Sequence, residues 1–536
     1  MRYWVRAWGA TSAIVCIAAC SSASNDGGSS GFGGSGGDAG TYAPTGSSSG
    51  GGSSGGSLGG ADSGPPETKA EGDYQSPVST GQYVWITNPV SGRVAYIQAS
   101  TLQVATVAAG NQPTYLAAVP DPAADTAIVL NVLSHDATLL RASGGNLTTK
   151  SFPIASDVNA WAVSPDGRWA LAWGDVTRAK SPDPTQGFQD VSVLDLTGQD
   201  PPTIVSVGFR PVSVAFASDS RHAYAVTQDG VSVIDLTGAG PVVNKNFPVS
   251  TDPNDDPGTR DVSVTPDGSY ALVRRDNQAT ISVVSLSDGT LTTVTLPANA
   301  TDLTLSPAGN QAVVVMRDIA TAAFLPIPGI ASDPTTFNKV VVTGQTVGRA
   351  IVADDSKTTL LFTTVLPVDT MTILDLPSLT FRTSRLHLPI YAVFPTHDAQ
   401  NAIVLHSLPP DAGTSAYGAF SVLPVGQDLP AKLVGTSAPP NAVALSPASD
   451  RALVTARDDG TSTFEAYLVK LPSLEVDAMP LASPPIAAGV VQGANAAYVA
   501  QSDPEGRITF IDLTTGQART LTGFELGSRV VDGSKP

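Results

Sequence analysis

Asp252, Asn254 and Asp256 alternate along the chain, which is the spacing closest to a metal-binding loop in this sequence. Side-chain oxygens at every second position are how a calcium loop begins. That loop also needs a glycine at its sixth position and a bidentate glutamate at its twelfth, where this chain has Pro257 and Ser263. We therefore predict a solvated acidic turn, retain the three residues only as candidate ligands, and expect no metal or other cofactor.

Histidines offer no clear catalytic or metal-binding arrangement. The five in the chain are His135, His222, His387, His397 and His406. No two of them form a pair at short spacing on one predicted strand, as a zinc site built on one element would need. We predict exposed or internally hydrogen-bonded histidines and assign no catalytic residue.

Trp161, Trp169 and Trp173 cluster within a short stretch. If exposed, they could form a sugar-binding patch. Because aromatic side chains contribute large areas to protein cores, packing between neighbouring structural units is the interpretation we favour.

The elements that carry these residues are short strands in a repeat of about 45 residues. From about Tyr83 onward each unit has a short apolar strand, a turn, a second apolar strand, a third strand often ending in Asp-Leu, and a fourth strand rich in Thr and Val. Pro presets φ at the second turn position, and a small residue accepts positive φ near the end. The clearest first-to-second-strand turns are residues 164–167, 265–268, 306–309 and 446–449.

Four strands per repeat predict an all-β fold, a β-propeller of four-stranded antiparallel blades in which neighbouring blades cover one another. About ten units can be counted. Propellers usually have about four to eight blades, so one large ring, a miscount and two smaller rings all remain open. The second strands begin near Tyr83, Ala127, Trp169, Ala223, Tyr270, Gln311, Leu360, Ala402, Arg451 and Ala497.

Residues 83–88 (YVWITN), 92–97 (GRVAYI) and 110–113 (GNQP) resemble the YVTN family of β-propeller repeats, which are related to WD and lactonase-type propellers. The resemblance implies a propeller from about residue 83 to the C-terminus. The motifs diverge, since Trp85 stands in place of a Tyr and Gln98 in place of an Asp. Residues 528–533 are typical of a lone first strand, so we expect the N- and C-terminal strands to complete one blade together, a closure that would remove open sheet edges.

The N-terminus is typical of an export signal. Arg2 and Arg6 precede a short apolar segment over 10–19, too short to span a bilayer. Residues 17–20 (IAAC) resemble the bacterial lipobox, which implies cleavage before Cys20 and lipid attachment to Cys20. An ordinary signal peptide that happens to contain a cysteine is the alternative. Ser21 implies the outer membrane by the sorting rule of enteric bacteria.

These features divide the chain into a signal peptide (1–19), a lipidated cysteine with a flexible Gly/Ser-rich linker (20–75) and a propeller domain (76–536). The only other cysteine, Cys16, lies in the segment to be removed, so no disulfide is expected. The predicted location is the bacterial cell envelope, with membrane attachment through the lipid anchor.

The formal net charge of −18 argues against nucleic-acid binding, because an acidic surface repels phosphate. We expect a monomer whose partner is a protein or a polysaccharide. Three long loops, 174–190, 250–259 and 407–418, fall on one predicted face of the ring, while an insertion at 326–338 falls on the other. Because binding usually resides in long loops on a rigid scaffold, we expect the three-loop face to be the working face.

Three functions are compatible with these features. The leading one is a non-enzymatic binding scaffold, which predicts exposed apolar side chains on the working face. The second is a lactonase-like or other hydrolase with a site at the channel, which would need converging acids, His or Arg on several inner strands. A purely structural envelope protein is the third.

Overall fold

The computed structural model describes residues 77–176, 187–238, 240–250, 259–342, 344–406, 418–471 and 473–523. These residues form ten four-stranded antiparallel sheets, each built from four consecutive strands. The sheets are the blades of a single ring, numbered 1 to 10 along the chain. The all-β propeller is thereby confirmed, and the number of blades is settled at ten in one ring.

The forty strands follow in chain order. Blade 1 comprises β1 (Val78–Ser79), β2 (Tyr83–Asn88), β3 (Arg93–Gln98) and β4 (Val104–Ala108), and blade 2 comprises β5 (Pro113–Val119), β6 (Asp125–Asn131), β7 (Asp136–Ser143) and β8 (Asn146–Pro153). Blade 3 comprises β9 (Ala160–Val163), β10 (Trp169–Trp173), β11 (Asp190–Asp195) and β12 (Thr203–Ser206), and blade 4 comprises β13 (Ser213–Phe216), β14 (His222–Val226), β15 (Val231–Asp235) and β16 (Val242–Phe247). Blade 5 comprises β17 (Arg260–Val264), β18 (Tyr270–Arg275), β19 (Thr280–Ser285) and β20 (Leu291–Thr295). Blade 6 comprises β21 (Asp302–Leu305), β22 (Gln311–Met316), β23 (Thr321–Pro326) and β24 (Asn338–Val341), and blade 7 comprises β25 (Arg349–Val352), β26 (Thr358–Phe362), β27 (Thr370–Asp375) and β28 (Thr380–Arg385). Blade 8 comprises β29 (Ile390–Pro395), β30 (Asn401–His406), β31 (Gly418–Pro424) and β32 (Lys432–Thr436), and blade 9 comprises β33 (Pro440–Leu445), β34 (Arg451–Asp458), β35 (Thr463–Lys470) and β36 (Glu475–Pro480). Blade 10 comprises β37 (Pro485–Val491), β38 (Ala496–Gln501), β39 (Arg507–Asp512) and β40 (Ala518–Thr522).

Helical structure in the described ranges is confined to short connections. One α-helical turn, α1 (Gly329–Ser332), lies in the insertion between β23 and β24, and two 3₁₀ turns span Arg317–Ile319 and Gln492–Ala494. Within the described ranges, no helix has the length and apolar character needed to cross a membrane.

The middle strands of each blade are buried on both faces, because each blade lies between two others. All five residues of β10 are buried, and so are six of the seven in β6. The fourth strands lie at the rim and are mostly exposed, with one buried residue each in β12 and β16. Apolar runs therefore mark the inner sheet positions, and mostly exposed strands mark the outer edge.

The hydrophobic core is divided into clusters that lie between neighbouring blades. Trp85 and Val94 of blade 1 pack with Leu116 and Leu140 of blade 2. Burial against the next blade is therefore the main stabilising interaction of each sheet.

The ring closes where blade 1 packs against blade 10. Each of these two blades has its own four strands, so the described N- and C-terminal strands do not complete one blade together. The first strand of blade 1 is β1, whose Val78 pairs with Trp85, while residues 528–533 lie outside the described residues. Blade 10 contacts this segment through the Tyr498 hydroxyl, which donates to the Pro77 carbonyl at 3.0 Å. The Ser79 hydroxyl donates to the Val490 carbonyl, also at 3.0 Å.

Two faces of the ring carry different connections. The loop face has the second-to-third-strand loops and the straps that join a fourth strand to the next first strand. The turn face has the first-to-second and third-to-fourth connections. The predicted turns lie on the turn face, with positive φ at their fourth residues, namely Gly167 (70°), Gly268 (70°), Gly309 (71°) and Ser449 (58°).

Candidate binding face

Several residues singled out in the sequence cannot be placed. Cys20, Asp252, Asn254 and Asp256 lie outside the described residues, as do 177–186 and 407–417, which form most of two long loops. In the part of the chain that the structure describes, no three His, Cys, Asp or Glu side chains are grouped so as to hold a metal ion.

The five histidines are scattered over both faces. His135 and His387 are exposed on the loop face, and His222 is partly buried at the start of β14. His397, in a turn-face connection, lies 2.7 Å through Nδ1 from Asp354 Oδ2, with both side chains half-exposed. His387 and His397 therefore lie at opposite ends of β29.

His406 is the buried histidine, at the loop-face end of β30. Its Nδ1–H donates to the Pro389 carbonyl at 3.1 Å, so Nε2 accepts from the Ser421 hydroxyl at 2.7 Å. Burial lowers the pKa of His406, and hydrogen bonds to the backbone at Pro389 and Leu388 partly oppose this shift. Ser421 is fully buried, so the pair has a structural role and no access to a substrate.

The three clustered tryptophans belong to the core. Trp161, Trp169 and Trp173 are all buried in one cluster with residues of the neighbouring blades. The core-packing interpretation is confirmed, and a sugar-binding patch made of these rings is excluded.

Charged side chains on the described first strands are restricted to blades 5, 6 and 7, namely Arg260, Asp261, Asp302 and Arg349. Two of them, Arg260 and Asp302, contact neighbouring blades. Arg260 donates to the carbonyls of Thr227 and Gln228 in blade 4. Asp302 Oδ2 accepts from the Ala350 N–H in blade 7 at 2.8 Å. Asp302 Oδ2 also accepts from the Thr304 hydroxyl of its own blade at 3.4 Å. The Arg349 guanidinium lies over the Phe362 ring of its own blade.

A buried hydroxyl on the third strand repeatedly fixes the strap that enters its blade. In blade 3 the Ala155 N–H donates to Ser192 Oγ at 2.9 Å, and in blade 4 the Gly208 N–H donates to Ser232 Oγ at 2.9 Å. Both hydroxyls are fully buried. In blade 8, His406 at the end of the second strand links the strap to the third-strand hydroxyl, because it hydrogen-bonds to both the Pro389 carbonyl and Ser421 Oγ. Gln501 does this in blade 10, donating to Thr509 Oγ1 at 2.7 Å and accepting from the strap backbone at 3.2 Å.

Exposed large apolar side chains are unevenly distributed over the described surface. The two most exposed are Val90 (84%) and Leu133 (67%), both in loop-face connections. Those at or next to the loop face are Val90, Leu133, Ile319, Leu366, Tyr391 and Ile486. Those on the outer strands are Val104, Ile204, Val242, Val341, Phe381 and Leu433, and Leu429 lies in a turn-face connection.

Val90 and Leu133 flank a cleft of about 400 Å³ between blades 1 and 2. We call it the blade 1–2 cleft. Its lining residues are Pro89, Val90, Ser91, Gly92, Asn111, Gln112 and Leu133. They come from the second-to-third loops of both blades and from the strap between them, so the cleft opens on the loop face.

The backbone of this cleft is held by its own hydrogen bonds. The Asn88 side-chain oxygen accepts from the N–H groups of Val90 and Ser91, each at 3.1 Å. The Leu133 N–H donates to the Asn111 carbonyl at 3.2 Å, and the Asn111 N–H donates to Ser134 Oγ at 2.8 Å. The two walls are therefore fixed before any ligand arrives.

Gly110 allows the strap to approach the loop of blade 2 closely. A Cβ at this position would lie 2.3 Å from Ser134 Oγ, 2.4 Å from Asp136 Oδ1 and 2.7 Å from Asn131 Nδ2. Only glycine fits there without displacement of the strap that carries Asn111 and Gln112.

Sequence reasoning named Gly92, Asn111 and Gln112 only as parts of the repeat motif, and it did not assign the residues of this cleft to a binding site. A signal was present in Val90, which follows Pro89 in a turn between two strands, and in Leu133, which lies in the corresponding turn of the next blade. Large apolar residues at turn positions are unusual, since turns favour Gly, Pro, Asn, Asp and Ser. Two such turns on one face would have indicated an exposed apolar site.

A second depression lies on the same face at blade 3, lined by residues that include Asp157, Phe188 and Asp190. It borders residues 177–186, which lie outside the described ranges.

The sheet order and ring closure define the chain as a β-propeller. No family model matches the chain, and neither does any curated protein. Among solved structures, the dihydro-heme d1 dehydrogenase NirN in complex with DHE is 14% identical, with a TM-score of 0.42 over 66% of this chain and 72% of that one. A hydrazine synthase of Kuenenia stuttgartiensis is 17% identical, with a TM-score of 0.32 over 60% and 98% of the two chains. A eukaryotic initiation factor is 12% identical, with a TM-score of 0.47 over 75% and 96%. Similarities at this level carry no information on function.

Proposed function

We propose that this protein is a lipid-anchored binding scaffold of the bacterial cell envelope, engaging its partner through the loop face. The observation that carries the proposal is the blade 1–2 cleft, which is lined by the two most exposed large apolar side chains of the described surface. Contiguous exposed apolar groups on a soluble surface commonly mark interaction sites.

The rigidity of the cleft supports a binding role. Because its loops are hydrogen-bonded internally, a partner would not need to order them, and that ordering cost is a large part of what limits affinity. Among the charged side chains of the described first strands, Arg260 and Asp302 have backbone hydrogen-bond partners in a neighbouring blade.

The course of the chain supports a role for the lipid anchor predicted at Cys20. β1 runs antiparallel to β2, so its N-terminal end at Pro77 points toward the loop face. The Gly/Ser-rich segment that follows Cys20 would then join the body on the face that carries the cleft. A flexible tether of this length spans roughly 40 Å, which would keep the partner search close to the membrane.

Site-specific photo-crosslinking in envelope preparations of the source organism tests the binding role. A photoreactive residue at position 133 should give adducts that the same residue at position 429, on the turn face, does not. Leu133 and Leu429 are both exposed apolar residues, so they form a matched pair. Equal adduct yields at the two positions, or none at 133, would contradict the proposal.

Metabolic labelling with a radioactive fatty acid tests the anchor separately. The full chain should incorporate label and fractionate with the outer membrane, and Cys20→Ala should abolish both. Label that persists in Cys20→Ala would exclude Cys20 as the attachment site.

A further inference from the structure

We infer that residues 72–76 of this chain continue β1 toward the loop face and occupy the inner edge of β2, at the mouth of the channel. The described residues begin at Pro77, so this segment is the chain that leaves the body at that edge. The inference goes beyond the proposed function, because it depends neither on what the loop face binds nor on a lipid at Cys20.

β1 is short for a first strand. It has two residues, whereas the other nine first strands have four to seven. Its ladder with β2 ends at the pair of Val78 and Trp85, while β2 itself continues to residue 88. The inner edge of blade 1 is therefore longer than β1, and the chain that precedes Pro77 starts beside the remaining part of that edge.

Pro77 does not interrupt a longer strand. Backbone groups of an antiparallel strand point alternately toward and away from the partner. The Thr80 N–H donates to the Tyr83 carbonyl at 2.9 Å, so even-numbered residues of this strand point toward β2. Pro77 points away, since its carbonyl accepts from the Tyr498 hydroxyl of blade 10. A proline is tolerated at such an edge position because its missing N–H is not needed in the ladder.

Ser76 and Tyr74 have the local preferences that a strand needs. Continuing the β1–β2 register by two residues puts Ser76 opposite Thr87. A residue that precedes a proline favours the extended conformation, so Pro77 biases Ser76 toward the strand. Tyr74 is the one aromatic residue between 65 and 76, and aromatic residues favour strands.

The neighbouring first strand fits the same path. β1 and β37 both run from the loop face to the turn face, and the Ser79 hydroxyl donates to the Val490 carbonyl at 3.0 Å. Four residues back along each strand, about 13 Å at about 3.3 Å per residue, position 75 comes level with Ile486. Side chains alternate, so residue 75 faces blade 10 as Ser79 does. Ile486 is half-exposed, which leaves room beside it.

The inferred strand fixes the linker at the seam between blades 1 and 10. The propeller then begins near residue 72, and closure of the ring does not depend on the two ladder pairs of β1 alone. The strand also covers part of the channel mouth on the loop face, which narrows the access of any ligand to the channel from that side.

Site-specific photo-crosslinking in the full chain tests the position of the segment. A photoreactive residue at position 75 should give adducts within residues 485–488 of blade 10, mapped by mass spectrometry. The same residue at position 60, in the Gly/Ser-rich linker, should give at least tenfold less adduct there. Equal yields from the two positions would overturn the inference. Adducts that join an isotopically labelled copy to an unlabelled one would assign the edge to a second copy and overturn it as well.

Two proline variants test the ladder itself. The N–H of Ser76 should point toward β2 and that of Gln75 away from it, so only Ser76→Pro removes a ladder donor. Hydrogen exchange of the Thr87 amide should rise at least tenfold in Ser76→Pro and less than about twofold in Gln75→Pro. Equal thermal midpoints would show that the body of both variants is folded. If the Thr87 amide exchanges equally fast in the parent chain and both variants, residues 72–76 do not pair with β2.

Discussion

Gly167 in the turn of blade 3 provides the sharpest test of how the blades pack. Its φ of 70° lies in the left-handed region, and a Cβ at this position would lie 1.7 Å from the Pro120 carbonyl oxygen and 2.8 Å from the carbonyl carbon. Both are backbone atoms of the adjacent blade, so no side-chain rotation relieves the clash. Gly167→Ala must therefore shift one blade relative to the next.

The magnitude follows from two contributions. An L-residue in the left-handed region costs about 1–2 kcal/mol. Overpacking against a fixed neighbour adds about 1–3 kcal/mol. Gly144→Ala separates the two, because Gly144 has a φ of 58° and open space where the Cβ would lie. We expect Gly167→Ala to lower the free energy of unfolding by about 2–5 kcal/mol and Gly144→Ala by about 1–2 kcal/mol.

Tryptophan fluorescence during urea unfolding is a suitable assay, since Trp161, Trp169 and Trp173 lie in the same blade as Gly167. The emission of these buried rings should shift at a lower urea concentration in Gly167→Ala than in Gly144→Ala. Coincident midpoints for the two variants would refute the close approach of the turns and the blade spacing that depends on it.

Three further predictions concern buried polar groups. Neutral His406 stabilises the fold, so its contribution is fully present above its unfolded pKa of about 6.5 and is lost as the pH falls through its lower folded pKa. His406→Gln should therefore flatten the dependence of the thermal midpoint on pH between about 7 and 5. The control His135→Gln, at an exposed site, should keep that dependence. Ser232→Ala leaves a buried strap N–H without its acceptor and should cost about 1–3 kcal/mol in urea unfolding. The control Ser206→Ala, at an exposed position of β12, should cost less than about 0.5 kcal/mol. A loss that small for Ser232→Ala would show that its hydroxyl does not hold the strap. Tyr498→Phe removes the hydroxyl that joins blade 10 to the segment before β1, and hydrogen exchange of β1 and β2 should rise several-fold; unchanged exchange would mean that closure does not depend on this bond.

Much of the fold could be predicted from the sequence because its signals are local. The turn at 164–167 combines a proline with a glycine at the position of positive φ, and the flanking apolar runs match β9 and β10. All ten predicted second strands fall on observed ones. The burial of the three tryptophans was also readable, since large aromatic rings in apolar strands favour a core.

Other features depend on contacts between distant residues. The sequence left the number of rings open, and closure was decided by the packing of Val84 and Ile97 against Tyr498 and Phe510 of the last blade. The buried role of His406 likewise arises only when a strap and a third strand lie on either side of it.

The candidate site shows the same division. Val90 and Leu133 are separated along the chain and belong to no quoted motif, so no local pattern joins them into a cleft. The sequence alone determined the strands, the turns and the repeat, because alternation and turn chemistry act over a few residues. The tertiary structure decided the single ten-bladed ring and the blade 1–2 cleft, because burial between blades and the facing of two loops require the whole chain to close on itself.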